Sequence, residues 1–360
     1  MAWSSSSAAT SPAAGTAWPN RPRAAHVPPL RFGLVSERDL AAEFRAGNVR
    51  GLARAISLVE QRDASIRHLL EALHDRVRRP KVIGVTGAPG TGKSTLVDAL
   101  VALFRQREES VAVVAVDPNS PYSGGALLGD RIRMQRHALD KGVFIRSMGA
   151  RGHLGGLSVA TREAIRLLGA FGFEWVILET VGVGQSELEV AAVADTTLVV
   201  LTPASGDGVQ MIKAGIMEIA DVFVVNKADL AGSQRTVQEI RTMLNMGPKL
   251  AWRPPIVPTV AAKGEGVEEV LEAVESHRRH LEKSGEGRAR AEALLKDEAA
   301  DLVAEWARDE ARRLLDEDGD LAEKLREERI PYSAAEEILT RRSASLVPSR
   351  ARKKSARSGT

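Results

Sequence analysis

Cysteine is absent from the chain, which excludes disulfides, thiolate metal sites and cysteine nucleophiles together. The seven histidines are scattered, so there is no His-rich tract for handing over a metal. No apolar run approaches the roughly 18–20 residues of a membrane span, and no secretory apolar segment opens the chain. There is no internal repeat. Acidic residues are missing from both ends: residues 1–36 carry Arg21, Arg23 and Arg31, and residues 341–360 carry seven arginines and lysines.

The sequence between those tails is net acidic, although the whole chain of 360 residues has a formal charge of +3. The basic isoelectric point therefore belongs to the tails, and no nucleic-acid-binding face is expected. Residues 1–36 are rich in Ser, Ala and Pro and read as a disordered extension. Their lack of acid is also a property of organellar transit peptides, but they show no amphipathic period, and the expected compartment is the cytoplasm. With 44% apolar residues the remainder can bury one large α/β core with helical extensions.

The apolar pattern divides that remainder. Residues 37–78 form a helical segment in which Leu40, Phe44, Val49, Leu52, Ile56, Val59, Ile66, Leu69, Leu70 and Leu73 recur near helical spacing, with a break at Gly47-Asn48. Residues 79–283 alternate strands and helices in the manner of a doubly wound, mostly parallel α/β sheet flanked by helices. The candidate strands are 81–86, 111–116, 143–148, 175–179, 196–202, 221–226 and 256–260. Residues 284–340 turn charged and helical, with a narrow apolar stripe at Leu295, Ala299, Leu302 and Trp306 that reads as a dimer or packing seam. Residues 341–360 form a basic, disordered tail.

After the first strand stands Gly87-Ala-Pro-Gly-Thr-Gly-Lys-Ser-Thr95, a G-x-x-x-x-G-K-[ST] loop opening a helix. Gly87, Gly90 and Gly92, with Pro89, Thr91 and Thr95 between and after them, let backbone N–H groups curl around a polyphosphate. Lys93 reaches the β- and γ-phosphates, and the Ser94 hydroxyl can ligate Mg²⁺. A bare strand-to-helix turn would gain nothing from Lys-Ser at its helix start. This is a P-loop NTPase fold.

The base is specified at Asn226-Lys227-Ala228-Asp229, after the sixth strand. A carboxylate at Asp229 can accept from both N1–H and the 2-amino group of guanine, and adenine offers neither donor. Asn226 would orient the loop and contact the purine edge, and the Lys227 stem would cover the base. The expected nucleotide is GTP, with GDP as product.

Three carboxylates fall between these motifs, at expected carboxyl ends of strands or shortly after them: Asp117, Asp130 and Glu179. Each could be a turn or cap residue, yet together with Ser94 they form a candidate Mg²⁺ set. Gly182, three residues after Glu179, could offer its N–H to the γ-phosphate.

These motifs, with Val116-Asp-Pro, Leu128-Gly-Asp130, Arg151-Gly-His-Leu-Gly-Gly-Leu-Ser158 and Glu179-Thr-Val-Gly-Val-Gly-Gln-Ser-Glu187, resemble the methylmalonyl-CoA mutase-associated GTPases, also called ArgK or MeaB. The likeness covers roughly residues 37–335. It implies a homodimeric GTPase that chaperones an adenosylcobalamin-dependent acyl-CoA mutase, gating cofactor loading and protecting or rescuing the mutase. Cobalamin then belongs to the partner, since no D-x-H-x-x-G segment occurs here. The resemblance also implies mobile segments at 118–133, 146–158 and 205–218, the last with Gln210 and Lys213 coupling to the partner.

Two features depart from common GTPase patterns. The last guanine motif reads Val260-Ala261-Ala262-Lys263-Gly264, leaving mainly backbone N–H groups for guanine O6. Val183 follows Gly182 where Ras-type enzymes carry a water-positioning Gln, so intrinsic hydrolysis is expected to be slow, with Gln185 or Asp130 as candidates for that task. A nickel or cobalt metallochaperone is the alternative within this fold, and the missing cysteines weigh against it.

Overall fold

The computed structural model describes residues 37–117, 135–149, 156–180, 186–203, 217–247, 251–328 and 331–346, apart from positions 62, 64 and 138. All seven expected strands form. They are β1 (Lys81–Thr86), β2 (Val111–Asp117), β3 (Val143–Gly149), β4 (Trp175–Thr180), β5 (Thr196–Leu201), β6 (Val222–Asn226) and β7 (Ile256–Thr259). They make one parallel sheet in the order β3-β2-β4-β1-β5-β6-β7. From β1 the chain moves outward to β2 and β3, returns to β4 beside β1, and then continues to β5, β6 and β7 on the other side. That reversal opens a crevice at the carboxyl end of β1, where doubly wound sheets bind ligands.

Strand residues alternate between two buried faces, which is why the strands read as continuous apolar runs. On one face Val82, Ala112, Val114, Val176 and Leu178 pack in a single cluster with α5 (Gly156–Phe171), α6 (Ser186–Val193) and the amino-terminal helices. On the other, Ile83, Val85, Val113, Ile177 and Val200 pack with α4 (Lys93–Gln106) and α8 (Val267–Ser284). Phe104 of α4 lies on Trp175 of β4 with ring centroids 4.6 Å apart. Back on the first face, α7 (Ser233–Met246) buries Ile240 against Phe223 and Val225.

The amino-terminal helices α1 (Glu37–Arg45), α2 (Val49–Gln61) and α3 (Ser65–Ala72) lay their stripe on the first face. Leu40, Phe44, Leu52, Ile56, Val59, Ile66, Leu69 and Leu73 are all buried there, and Phe44 meets Phe171 edge-on at 5.3 Å. Val49 departs from that pattern: it opens α2 and stays half exposed, because a helix end is not covered by the neighbours that cover its middle. The break before it is at Gly47, whose φ of 73° is left-handed.

The carboxyl-terminal arm is α9 (Glu286–Glu317), α10 (Gly319–Glu328) and α11 (Pro331–Leu346). Ion pairs tie α9 to the core: Arg166 with the buried Glu298, Arg162 with Asp301 at 3.1 Å, and Arg290 with Asp221 at 3.7 Å. The Glu298 carboxylate raises the pKa of the Arg166 guanidinium. Asp221 also meets the fully buried His277 at 3.3 Å. Burial pushes the Asp221 carboxyl up to about 6 and the His277 ring down to about 4, so at neutral pH an ionised carboxylate faces a neutral imidazole. The apolar stripe of α9 is uncovered, with Leu295, Val303 and Trp306 each more than half exposed.

One glycine fixes how closely α6 approaches the sheet. A Cβ at Gly84 would stand 2.8 Å from Val190 Cγ1 and 2.9 Å from Ala194 Cβ. Gly84→Ala is therefore expected to cost about 1–3 kcal/mol by overpacking, seen as a lower urea midpoint at unchanged slope. An unchanged midpoint would show that α6 gives way freely.

Candidate nucleotide-binding site

The loop between β1 and α4 folds tightly because three of its residues lack a Cβ. Gly87 has φ 140°, and a Cβ there would fall 2.2 Å from the Val200 carbonyl of β5. Gly92 has φ 90°, and a Cβ there would collide with Asn226 Nδ2 at 2.4 Å. Both the conformation and the space thus demand glycine. Lys93, almost fully buried, curls back so that Nζ donates to the carbonyls of Gly87 at 2.7 Å and Ala88 at 3.2 Å. The ammonium is held across the mouth of the loop, where a phosphate oxygen could replace a carbonyl as acceptor.

Next to it the Ser94 hydroxyl donates to Glu179 Oε1 at 2.5 Å, across 85 residues of sequence. Glu179, 1% exposed near the end of β4, is a buried carboxylate beside a hydroxyl. Hard oxygen donors of this kind suit Mg²⁺, which is commonly held by one or two protein oxygens with substrate phosphates and water completing the shell. Among the described residues no three His, Asp or Glu side chains cluster as a metal site of their own.

Asn226 ends β6 and ties three loops together. Its Nδ2 donates to the Thr91 carbonyl at 2.8 Å, while its Oδ1 accepts from Ala261 N at 3.1 Å and Thr259 Oγ1 at 3.2 Å. Its side chain thus serves loop geometry. Lys227, with φ 57°, donates to the Gly90 carbonyl at 2.8 Å and lays its stem over the phosphate loop. Asp229 is exposed and meets Lys263 Nζ at 3.3 Å. A cavity of about 290 Å³ lies between them, lined by Gly92, Thr95, Lys227, Asp229, Ala262 and Lys263 among others.

Of the other sequence-derived positions, Asp117 closes β2 beside Gly149, and its side chain lies outside the described residues. So do Asp130, Gly182, Gln185, Gln210 and Lys213 entirely. Two features were not read from the sequence. Leu230 adds an apolar wall to the cavity beside Asp229; its place directly after Asn-Lys-x-Asp was the available signal. Asp98 of α4 holds Arg136 at 2.5 Å and His137 Nε2 at 3.2 Å beside a second cavity of about 460 Å³, which shares Thr95, Ala261, Ala262 and Lys263 with the first. No sequence spacing links those residues, because the contact joins a helix to a distant turn.

Residues 52–314 match the family described as Methylmalonyl Co-A mutase-associated GTPase MeaB. The chain belongs to this family. A protein of Pyrococcus horikoshii that carries a GTPase name is 43% identical over 306 residues, 84% of this chain and 96% of that protein. GTPase ArgK of Escherichia coli is 38% identical over 70% of this chain and 80% of its own length. The mouse mitochondrial methylmalonic aciduria type A homolog is 36% identical over 65% of this chain and 61% of its own. Among solved structures, the crystal structure of an LAO/AO transport system kinase superposes with a TM-score of 0.61 at 27% identity, covering 84% of this chain and 96% of that one.

The MeaB-family site generates a test of base choice. Asp229→Asn is expected to lower affinity for GDP by at least tenfold and raise it for XDP, whose 2-oxo group accepts from the new amide. Displacement of a fluorescent GDP by GDP, XDP and ADP measures this. Equal competition by ADP and GDP in the unmodified protein would remove Asp229 from base recognition.

Proposed function

We propose that this chain binds and hydrolyses GTP with Mg²⁺ and serves an adenosylcobalamin-dependent acyl-CoA mutase as a chaperone. In this reading it gates cofactor loading and protects or reactivates the mutase, and cobalamin stays on the partner. The observation that carries the hydrolytic part is the Ser94–Glu179 contact beside Lys93, at the loop that follows β1. Family membership carries the mutase part, supported by the name of the mouse relative.

Each residue has a physical task in the reaction. The glycines of the loop let N–H groups face the α- and β-phosphates, and the Lys93 ammonium exchanges its carbonyl acceptors for β- and γ-phosphate oxygens. Ser94, through its hydroxyl, and Glu179 would hold the cation. Asp117 and Asp130 are proposed to complete its surroundings. When bound, Mg²⁺ neutralises charge on the phosphates as the γ-phosphoryl group passes to water. The Gly182 N–H meets the γ-phosphate, and Gln185 or Asp130 positions the water. Asp229 selects guanine, with Lys263 as its counter-ion until the base arrives and the Ala262 N–H directed to O6, since the Ala261 N–H is already taken by Asn226 Oδ1. No covalent intermediate is required.

The dimer is proposed on the arm. Leu295, Val303 and Trp306 repeat along one side of α9, and Tyr332 and Leu339 are exposed on α11. Uncovered apolar side chains repeated along a helix are the usual raw material of self-association.

Two outcomes follow for turnover. Lys93→Ala should lose GDP affinity as well as rate, because it touches phosphates in the ground and transition states. Glu179→Ala should keep most of the affinity and lose rate by about tenfold or more, if it supplies over about 1.4 kcal/mol to the transition state. Wild-type kcat for Glu179→Ala at saturating Mg²⁺ would reduce this acid to a structural role.

For the partner, GTPase rates with and without purified acyl-CoA mutase are the measurement. Stimulation is expected, and Lys213→Ala should blunt it while intrinsic hydrolysis stays the same. Gel filtration of the same samples reads complex and dimer. No stimulation and no complex with any acyl-CoA mutase of the host would overturn the chaperone reading, and a monomer mass would overturn the dimer.

A further inference from the structure

A cavity of about 320 Å³ lies where α9 crosses the amino-terminal edge of the sheet, opposite the loops that form the nucleotide site. Its floor is apolar. Val82 is the second residue of β1, Ile165 comes from α5 and Val193 ends α6, and all three are buried, while Leu294 of α9 closes one side. The segment leading into β1 is pressed so closely against α5 that a Cβ at Gly169 would fall 2.0 Å from the Arg78 carbonyl. Arg78 therefore stands on fixed backbone at the cavity mouth.

The charge around this floor is one-sided. Arg78, Arg79, Arg162 and Arg166 all line the cavity, with Glu298 as the lining acid. Three of the four have acidic partners: Arg79 with Asp195 at 2.6 Å, Arg162 with Asp301, and Arg166 with Glu298. Arg78 has no side-chain partner among the described residues. Arg162 is 11% exposed, and its Nε is buried without a hydrogen-bond acceptor. That Nε has no exposed surface, so a molecule in the cavity meets Arg78 and not the Arg162 Nε. The surplus of charge is thus one guanidinium, which suits a monoanion better than a phosphate.

Small-molecule sites are typically cavities on the order of 300–1,000 Å³ with apolar walls and a few directed polar groups. We propose that the cleft between arm and core binds a small carboxylate with an apolar body. Its head is held by Arg78, and its body lies on Val82, Ile165 and Leu294. A planar carboxylate matches the guanidinium fork. Because α9 forms a wall, the ligand binds only with the arm docked, and it favours that placement over any other.

The test is calorimetric titration of the full chain with octanoate and with octanamide, which share a body and differ in charge. The expected result is one saturable octanoate site per chain, at least tenfold tighter than octanamide. Arg78→Gln should bring that ratio close to one. Ile165→Trp, which fills the floor, should abolish both, with GDP affinity retained as the sign that the nucleotide domain is folded. If Ile165→Trp does not fold, the exposed Arg78→Gln variant decides alone. Equal binding of acid and amide, no saturable site, or octanoate binding undiminished by Ile165→Trp would overturn the proposal. So would dissociation of a dimer by octanoate in sedimentation, which would make a second copy of the chain the natural occupant.

Discussion

The geometry of the site depends on one buried amide. Asn226 spends both ends of its side chain within the protein, holding the carbonyl of Thr91, the N–H of Ala261 and the hydroxyl of Thr259. Thr91 lies in the loop after β1, Thr259 ends β7 and Ala261 lies in the loop after it, and Asn226 itself ends β6. A buried amide of this kind costs free energy if any partner is lost, so the three loops are fixed as a unit. The glycine at position 92 is part of the same constraint, since any side chain there would occupy the place of Asn226 Nδ2. The phosphate side and the base side of the crevice are thereby held at a set distance before any ligand arrives.

The second constraint runs through the other half of the sheet. β4 brings Glu179 beside Ser94 because β1 and β4 are paired in parallel with Val85 opposite Glu179. The carboxylate is buried, and the hydroxyl of the phosphate-loop helix satisfies one of its oxygens. Lys93 rests on loop carbonyls in the same region. Both cation and anion are thus held in place by groups that a nucleotide and its metal could take over, which limits the reorganisation that binding requires.

The layers outside the crevice have a different logic. The amino-terminal helices are bound by apolar burial, with Phe44, Leu52, Ile56 and Leu73 closing one face of the sheet. The carboxyl-terminal arm is bound largely by charge, through Arg162, Arg166 and Arg290, and leaves its own apolar stripe open. Apolar faces fix a layer over many contacts, whereas a few ion pairs pin a helix at points and leave clefts between them. The cavity beside Arg78 is such a cleft.

Much of this was legible in the chain itself. The strands could be located because a sheet buried on both faces leaves uninterrupted β-branched runs, as in Val111-Ala-Val-Val-Ala-Val116. The phosphate loop and Asn226-Lys-Ala-Asp229 could be located because their chemistry is local: glycines at set intervals, a lysine, and a carboxylate after a strand. What the sequence by itself determined was the class of fold, the family and the kind of ligand. Contacts between distant segments were decided only by tertiary structure: the commitment of Asn226 to three loops, the pairing of Asp98 with Arg136, and the docking of Glu298 on Arg166. No local pattern encodes them, because each depends on which strand lies beside which and on how the helices pack across the sheet.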